Sequence, residues 1–598
     1  MKLFNEYTYI PYVKSEKYID NILSSKQYRE IYPDFEKSID IINKKIDNFF
    51  FKENFNYPSK NFIVIEPHLI AFNLFTKSII LNRILLEKKF DEIKIEVYKE
   101  ELSKNFNDRF INQYALLAKK IGKPFTIINK GNLNLKYIND SSSKLKFLSL
   151  LNFNSKILYY EIKKRIIGNF NKKKILNIGE NYLNREIEFE LHKKGIDFLP
   201  VKKELKIFYD ELSVENNNKD KYKFICKIVK TEMNNLIVKY INNKKVGDGF
   251  VKVISDIIFY NINDLLSKKD LMRKKISKYK EKLNFNLCLG NGLFGNFGKS
   301  VYDALFYNKI KVITTEHGLT AGNSKDSLQY FYANESLTCD RLFCYSEASV
   351  KTRLKNKNSN LKLHVIGSPE FPKHIRFKKI KRLILKIKFK LKGINVFYVS
   401  HNIELNPGKY FPFSKTNPEL FHDELHILSA LSKINKNVIY KSYPTMQYLY
   451  DRSKIINDSI SKYNNIRFFK GEEDFRYVRA VADIIITQSS ESTLEWCIGS
   501  NVPIIFLDSD YYEPLENIEV KKAFKESFFL INYDNSNWEK ELINLLNLPY
   551  HEILKRWKEK EIFRKKYDSK YFLSVNKKYL LSYFFLKTSF SFHLFKIS

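Results

Sequence analysis

The segment from Ala482 to Asp508 constrains the fold of this chain more than any other. Its first part, ADIIITQ, has the density of β-branched residues that is typical of a strand buried on both faces of a parallel sheet. A serine-rich turn, a short helical stretch and a second apolar run, VPIIFLD, follow in that order. The succession of strand, helix and strand is a βαβ unit, so it predicts an open α/β sheet covered by helices.

The turn after the first of these strands carries hydroxyl side chains, namely Ser489, Ser490, Ser492 and Thr493. A helix start leaves backbone N–H groups unpaired and carries the positive end of the helix dipole, so hydroxyls at that point favour a diphosphate ligand. Glu495 follows within the first helical turn, where a carboxylate can accept hydrogen bonds from ribose hydroxyls. The alternative is a capping box, in which Ser492 and Glu495 satisfy each other's backbone donors without any ligand.

The composition of the chain limits the classes of partner. Its 598 residues exceed what one core holds, so we expect two or three domains. Lys and Arg number 103 against 67 Asp and Glu, a net charge of +36, which favours polyanionic partners. Lys, Asn and Ile are abundant throughout, as an AT-rich coding sequence produces, so we do not predict a specific nucleic-acid partner.

The spacing of the cysteines and the length of the apolar runs indicate in which cellular compartment the protein is expected. Five cysteines are scattered without the paired spacing of metal ligands, and we predict neither a metal site nor a cofactor. Scattered cysteines fit a reducing cytoplasm. No apolar run approaches the ~20 residues that span a bilayer. We therefore expect a cytoplasmic protein, with a peripheral position on the inner face of the membrane as a further possibility.

The pattern along the chain predicts two Rossmann-like domains that face each other across a cleft, with helical extensions at both ends. The expected strands of the first domain lie at residues 62–66, 93–97, 125–128, 174–178 and 196–200. The expected divisions are a helical N-terminal extension (1–58), a first domain (59–372) with a helical insertion near 204–280, a basic linker (373–393), a second domain (394–548) and a helical tail (549–598).

A glycine-rich loop follows the expected strand at Leu287. Gly290, Gly292 and Gly295 have the spacing of a dinucleotide fingerprint, and an acidic residue, Glu316, follows about twenty residues later. We expect the next helix to begin only after Gly298, so that the third glycine does not open it as the fingerprint requires. The sequence therefore favours a flexible glycine loop at the cleft.

Histidines follow one strand in each domain. Glu316, His317 and Gly318 end the strand KVITT, and His401 follows the strand NVFYVS of the second domain. Open parallel sheets bind ligands outside the carboxyl ends of their strands. A histidine is often only a structural hydrogen-bonding group, but this position favours a functional one. We expect Gly318 and His401 to line the cleft.

The segment from residue 373 to 393, KHIRFKKIKRLILKIKFKLKG, combines lysines with apolar residues that fall on one helical face. A basic amphipathic helix can lie on an anionic membrane surface. We interpret the segment as a charged connector between domains, and peripheral contact with an anionic membrane is the alternative.

Two α/β domains, a linker and a C-terminal helical segment together resemble the GT-B glycosyltransferase architecture. His317-Gly318 is similar to the "HG" element of bacterial capsule and surface-carbohydrate transferases and of teichoic-acid glycerophosphotransferases. Lys441-Ser-Tyr-Pro444 stands where related families have Lys-x-His-Pro, and Ser489 to Glu495 is similar to their donor-phosphate motif. The resemblance covers roughly residues 285 to 510, and the part before residue 280 is matched only in architecture.

One departure from the family pattern bears on the donor. Tyr443 stands where a histidine of the His-Pro element contacts donor phosphate in the sialyl- and Kdo-transferase-like families. A tyrosine hydroxyl donates a hydrogen bond but carries no positive charge at neutral pH. This departure disfavours a CMP-sugar and leaves a UDP-linked or other nucleotide sugar open. Lys441 is the candidate for the missing charge.

The resemblance implies a metal-independent glycosyltransferase that moves a sugar from a nucleotide sugar to a glycan or lipid-linked acceptor during synthesis of a surface polysaccharide or lipopolysaccharide. It implies that the serines, Thr493 and Glu495 hold the donor. His317 is the first candidate for the general base, and Glu316 is the second. A glycerol- or ribitol-phosphate transferase and a UDP-sugar 2-epimerase of the same fold are alternatives. A non-catalytic protein that binds polyanions or membranes is a further one.

Overall fold

The computed structural model describes most of the chain. The described residues are 2–3, 23, 25–51, 65–86, 93–97, 113–122, 125–129, 173–179, 184, 187–188, 191, 196–214, 219–283, 285–291, 293, 295–319, 321–325, 335–336, 338–355, 361–367, 378–400, 415, 417–442, 458–469, 475–490 and 492–572.

The N-terminal part forms helices and a small parallel sheet of three strands. The helices are α1 (Ser25–Ile46, continued by a π-helical turn, Asp47–Phe51), α2 (Ile65–Leu86) and α3 (Gln113–Ile121). The strands are β1 (Lys2–Leu3), β2 (Ile93–Val97) and β3 (Phe125–Asn129), in that order across the sheet. Helix α2 begins inside the strand expected at 62–66. The strands at 93–97 and 125–129 form as predicted but lie outside the first six-stranded sheet.

Three further helices are α4 (Lys202–Glu211), α5 (Lys219–Tyr240) and α6 (Lys244–Leu283). They cover most of the stretch 204–280, and the two long helices, α5 and α6, share one apolar core with α1, α2 and α3. Aromatic rings fill that core: the centroids of Phe35 and Phe72 lie 5.3 Å apart, as do those of Phe75 and Phe250. Helices α1, α2 and α3 thus pack with α5 and α6, which lie later in the chain, as one helical unit.

The first six-stranded sheet is parallel throughout. Its strands are β4 (Lys173–Asn177), β5 (Ile196–Pro200), β6 (Leu287–Gly290), β7 (Lys311–Thr315), β8 (Arg341–Cys344) and β9 (Lys362–Val365). Helix α7 (Gly295–Tyr307) follows β6, and α8 (Glu347–Lys355) follows β8. The strands lie in the order β5-β4-β6-β7-β8-β9, so the direction of winding reverses between β4 and β6.

The start of α7 corrects one expectation from the sequence. The helix begins at Gly295, the third glycine of the loop, and not after Gly298. Gly295 has φ of +64°, a left-handed conformation that glycine adopts readily. A Cβ at Gly298 would lie 2.1 Å from the carbonyl carbon of Leu293, so the loop packs tightly against the first turn. The expectation that the helix begins only after Gly298, which argued against a dinucleotide fingerprint, is therefore wrong. Gly292 lies outside the described residues.

The second six-stranded sheet has the doubly wound order β12-β11-β10-β13-β14-β15, which is the 3-2-1-4-5-6 order of a Rossmann fold. Its strands are β10 (Asn395–Val399), β11 (Asn437–Lys441), β12 (Ile466–Phe469), β13 (Ile484–Thr487), β14 (Ile504–Asp508) and β15 (Phe529–Asn532). Its helices are α9 (Lys378–Lys388), α10 (Asn417–Leu431), α11 (Phe475–Val478, followed by a 3-10 turn, Arg479–Val481), α12 (Ser492–Ile498) and α13 (Ile518–Ser527).

Strand β13 is buried on both faces, as its apolar run predicts. It pairs in parallel with β10 on one side and with β14 on the other. Ile485 belongs to the apolar core on one face of the sheet, and Ile484 and Ile486 belong to the core on the other face. The segment from Ala482 to Asp508 therefore lies at the centre of the second domain.

The chain ends, in its described part, with helices α14 (Trp538–Asn547), α15 (Tyr550–Glu559) and α16 (Glu561–Tyr571). Helix α16 contacts α8 of the first domain, and the side-chain amide of Asn323 donates a hydrogen bond to the carbonyl oxygen of Tyr571 (3.0 Å). One apolar core contains residues of both six-stranded sheets. Two Rossmann-like domains with this closing helix confirm the predicted GT-B-like α/β fold.

Candidate active site

Each six-stranded sheet has one place where the winding reverses, and open α/β sheets bind ligands there, outside the carboxyl ends of the strands. In the second sheet this place lies between β10 and β13. The residues that follow these strands are Ser400 and the stretch 488–490, which we call the serine loop. In the first sheet the reversal lies between β4 and β6, beside Gly179 and Asn291, whose atoms pack closely.

The serine loop binds a carboxylate. The backbone N–H of Ser490 donates to Oε2 of Glu513 at 2.9 Å, and the hydroxyl of Ser489 donates to the same oxygen at 3.0 Å. The hydroxyl of Ser490 donates to the backbone carbonyl of Glu513 at 3.2 Å. Two donors of the loop therefore converge on one carboxylate oxygen at the edge where open α/β sheets generally bind ligands.

Glu513 is held in this position by its own neighbours. Its φ of +42° is left-handed, a conformation that costs free energy in a residue with a side chain. The hydroxyl of Tyr512 donates to Oε1 at 2.8 Å. Nothing in the sequence of the loop after β14 marks Glu513 as a partner of serines more than twenty residues earlier, so the contact is not predictable from the sequence.

The helix after the serine loop begins at Ser492. The side chain of Thr493 is half-buried, and Glu495 lies in the first turn with 3% of its surface exposed. The side chain of Ser492 lies outside the described residues, so the reciprocal contact of a capping box is outside them as well. Ser489 and Ser490 thus lie in the loop, whereas Thr493 and Glu495 lie on the helix behind it.

Lys441, expected to supply positive charge to the donor, ends strand β11. Its side chain is fully buried, and the ammonium group donates to the carbonyl oxygen of Ser442 at 2.7 Å. Its backbone carbonyl accepts from the N–H of Ser400, so it lies beside the end of β10. Tyr443 and His401, the other two residues expected here, lie outside the described residues.

His317 lies directly beyond β7 with an exposed side chain, and Gly318 beside it is buried. Its backbone N–H donates to Oε1 of Glu335 at 2.7 Å. Protein atoms on one side of the ring partly desolvate it, and this effect, together with the positive charge of Lys202, lowers the pKa of His317. The imidazole is therefore neutral at pH 7 and able to accept a proton.

Glu316 occupies a different environment from its neighbour. Its carboxylate is fully buried, and it accepts hydrogen bonds from the hydroxyl of Ser349 (2.7 Å), from the N–H of Tyr345 (2.9 Å) and from Arg353 (3.1 Å). Arg353 also contacts Glu335 at 2.5 Å. A carboxylate enclosed in this way cannot reach an acceptor hydroxyl, which corrects the expectation that Glu316 is the second candidate for the general base.

Hydrogen bonds join the tip regions of the two domains. The N–H of Lys325, in the loop that follows β7, donates to the carbonyl of Pro514 at 3.0 Å. The N–H of Glu516 donates to the carbonyl of Asn323 at 2.8 Å. The loop that carries Glu513 is therefore hydrogen-bonded to the loop that follows the histidine.

In the described part of the chain, no three His, Cys, Asp or Glu side chains are grouped so that they could hold a metal ion. None of the helices described combines the length and the apolar character that crossing a membrane requires.

Among comparisons with known proteins, the one with solved structures gives matches. No protein-family model and no curated protein sequence matches the chain. Among solved structures, it is similar to UDP-GlcNAc 2-epimerase from Methanocaldococcus jannaschii, with 17% identity, a TM-score of 0.37 and coverage of 63% of this chain and 93% of that one. The Neisseria meningitidis UDP-GlcNAc 2-epimerase bound to UDP-GlcNAc gives 14% identity, a TM-score of 0.37 and coverage of 66% and 99%. Anabaena HepE in complex with UDP and glucose gives 13% identity, a TM-score of 0.31 and coverage of 50% of this chain and 78% of that one. The class defined here, a GT-B-like two-domain α/β protein, rests on the order of strands in the two sheets.

Proposed function

We propose that this protein is an enzyme that binds a nucleotide sugar in its second domain and transfers the sugar to a glycan or lipid-linked acceptor held by the first. The serine loop carries the proposal, because its N–H and hydroxyl groups converge on an anion where doubly wound sheets bind ligands. A diphosphate offers the same kind of acceptor oxygens as the carboxylate of Glu513. The resemblance to surface-carbohydrate transferases supports a role in surface polysaccharide or lipopolysaccharide synthesis.

The donor-side roles follow from these positions. Ser489 and Ser490 would bind the diphosphate, and Ser492 and Thr493 would line the same end of α12. Glu495, buried in the first turn, would accept hydrogen bonds from the ribose. A fully buried Lys441 is placed to supply positive potential and not a direct phosphate contact. Tyr443 would contact the donor, and Gly292, Gly295, Gly318 and His401 would line the cleft.

The reaction needs a group that accepts a proton. The acceptor hydroxyl oxygen forms a bond to the anomeric carbon while the bond from that carbon to the diphosphate oxygen breaks, and the hydroxyl proton must leave. His317 is exposed at the tip of β7 and neutral at pH 7, so it is suited to take that proton. The nucleoside diphosphate leaves with the bonding electrons, stabilised by the donors of the serine loop.

The first test concerns nucleotide binding. A ligand that binds the folded state raises the thermal midpoint, so UDP or another nucleoside diphosphate should raise it for the purified protein. Glu495→Ala should reduce this shift, because the ribose loses an acceptor. Glu541→Ala is the matched control, since Glu541 is exposed on α14 of the same domain. An unreduced shift in Glu495→Ala would contradict the donor site.

The second test concerns the base. His317→Ala should lower kcat by about 10²-fold to 10⁴-fold, the usual contribution of a general base, while leaving the nucleotide thermal shift intact. The wild-type kcat/KM should fall only below pH 6.5, because the pKa of His317 lies below that value and the protonated ring cannot accept a proton. The acid limb should disappear in the variant. A variant with the wild-type rate and pH profile would exclude His317 as the base.

Product analysis distinguishes transfer from the alternatives. Incubation of a UDP-sugar with the protein, with and without an acceptor, should give a new glycoside only when acceptor is present. Conversion of the UDP-sugar into an isomer without acceptor would establish a 2-epimerase and overturn the transfer proposal. Release of CMP with a phosphodiester product would establish a glycerol- or ribitol-phosphate transferase.

A further inference from the structure

Helix α9 exposes an apolar face to solvent. The side chains of Ile380, Leu383, Ile384 and Ile387 are exposed by 60, 62, 37 and 70%. Their spacing of i, i+3, i+4 and i+7 places them in one stripe along the helix. Single exposed apolar residues are ordinary in soluble proteins, but a contiguous stripe of branched aliphatic residues marks an interaction surface.

The polar face of the same helix is turned toward the protein. Lys378 donates from its ammonium group to the carbonyl of Ser500 at 2.6 Å. Arg382 forms an ion pair with Asp483 at 2.5 Å. Leu385 is the apolar residue that the helix does bury, with 1% of its surface exposed. Helix α9 is therefore inverted relative to an ordinary surface helix, which buries its apolar stripe and exposes its charges.

Lysines border the apolar stripe. Lys379, Lys388, Lys390 and Lys392 are all exposed, at the two ends of the helix and just beyond it. Lysine is depleted from protein–protein interfaces, whereas lysines next to aliphatic side chains are typical of helices that lie in the headgroup region of anionic membranes. Each lysine near such a surface contributes favourable electrostatic energy.

We propose that α9 docks this protein on an anionic lipid bilayer. The helix lies parallel to the membrane plane, with its aliphatic stripe at the boundary between headgroups and acyl chains and its lysines on anionic headgroups. The ion pair of Arg382 and the contact of Lys378 keep the helix fixed to the second domain, so the domain is held at the surface in one orientation. This proposal rests on α9 alone and does not depend on the proposed nucleotide site.

The test uses the full chain and vesicles of phosphatidylcholine with or without phosphatidylglycerol. The protein should sediment with the vesicles that contain phosphatidylglycerol, and added salt should weaken the binding because it screens the lysines. The triple variant Ile380→Gln, Leu383→Gln and Ile387→Gln should bind at least tenfold more weakly, since three apolar side chains lose their burial. Ile518→Gln is the matched control: Ile518 is 84% exposed on α13 of the same domain, and its replacement should leave binding unchanged.

Several outcomes would overturn the proposal. Wild-type protein that stays in the supernatant with both kinds of vesicle contradicts it, as does a triple variant that binds as well as the wild type. A triple variant that converts a dimer to a monomer in analytical ultracentrifugation would assign the stripe to a second copy of the chain. The replaced side chains are exposed, so an unchanged thermal midpoint is expected and verifies that the variant folds.

Discussion

At the scale of single residues, Glu513 changes the interpretation of the serine-rich turn. The turn holds an anion in the protein itself, because the N–H of Ser490 and the hydroxyl of Ser489 both donate to its carboxylate. A nucleotide that uses these donors has to displace the carboxylate or share them with it. Two anions cannot occupy one set of donors without repulsion. Glu513 is therefore a competitor for the site as well as one of its parts.

This competition leads to a prediction for Glu513→Gln. The neutral amide holds the serine loop less strongly, because hydrogen bonds to charged groups contribute about 1 kcal/mol more than neutral ones, and it does not repel a diphosphate. We expect UDP to bind more tightly by up to about tenfold in isothermal titration calorimetry at fixed salt. Glu519→Gln, which removes an exposed charge from α13, is the control. Weaker binding in Glu513→Gln would show that the carboxylate positions the loop for its ligand.

At the scale of secondary-structure elements, a buried ionic cluster fixes the tip of β7 to α8. Glu316 directly follows the strand, Arg353 lies on the helix, and Glu335 accepts a hydrogen bond from the backbone of His317. Two carboxylates share one guanidinium group, and all three side chains are fully buried. Burial raises the pKa of Glu335 to about 7, while the charge of Arg353 opposes the shift and that of Glu316 adds to it.

The raised pKa of Glu335 predicts how stability depends on pH. Between its usual value of 4.5 and about 7, the folded protein holds a proton that the unfolded chain has released, so the free energy of unfolding contributed by this group falls as pH rises through that window. Glu335→Gln removes this titration. We expect its thermal midpoint to fall less than that of the wild type between pH 5 and pH 8.

Glu335→Ala is the comparison for this prediction. It removes the same titration but leaves Arg353 with fewer hydrogen bonds in a buried site, so it should be less stable than Glu335→Gln at every pH. Parallel pH profiles for the wild type and Glu335→Gln would show that Glu335 is ionised across the whole range in the folded protein.

At the scale of the whole molecule, the two domains are joined by the loop at residues 321–325 as well as by α16. Gly322 in this loop has φ of +93°, and a Cβ there would lie 2.5 Å from the carbonyl carbon of Ala348 on α8. The loop therefore approaches α8 as closely as backbone allows. Only a glycine permits both the left-handed conformation and that approach.

Gly322→Ala should destabilise the protein by more than the conformational cost alone. Gly122→Ala is the matched control, because Gly122 has φ of +77° and nothing within 4 Å of its added Cβ. Gly122→Ala should lower the free energy of unfolding by about 1 to 2 kcal/mol, because a residue with a side chain is less stable in the left-handed conformation. Gly322→Ala should lower the free energy of unfolding clearly more than this, measured as a larger shift of the urea midpoint. Equal shifts for the two variants would show that the loop yields without loss of domain contacts.

Local sequence patterns predict most strands of the two six-stranded sheets and the α/β class. Strands buried on both faces carry continuous apolar runs, so β10, β13 and β14 could be predicted from composition, and the polar residues after them marked the ligand edge. It also showed that the apolar residues of α9 share one face, because helical periodicity is local. The start of α7 was misplaced because a glycine in the left-handed conformation can open a helix as well as precede it.

Contacts in the tertiary fold set the orientation of those side chains and the groups that they contact. The sequence placed Glu316 and His317 side by side, but the fold buried the first against Arg353 and exposed the second. It brought Glu513 to the serine loop and turned the apolar stripe of α9 to solvent. The reason is that local periodicity fixes which side chains share a face, whereas contacts between distant segments fix the surroundings of that face.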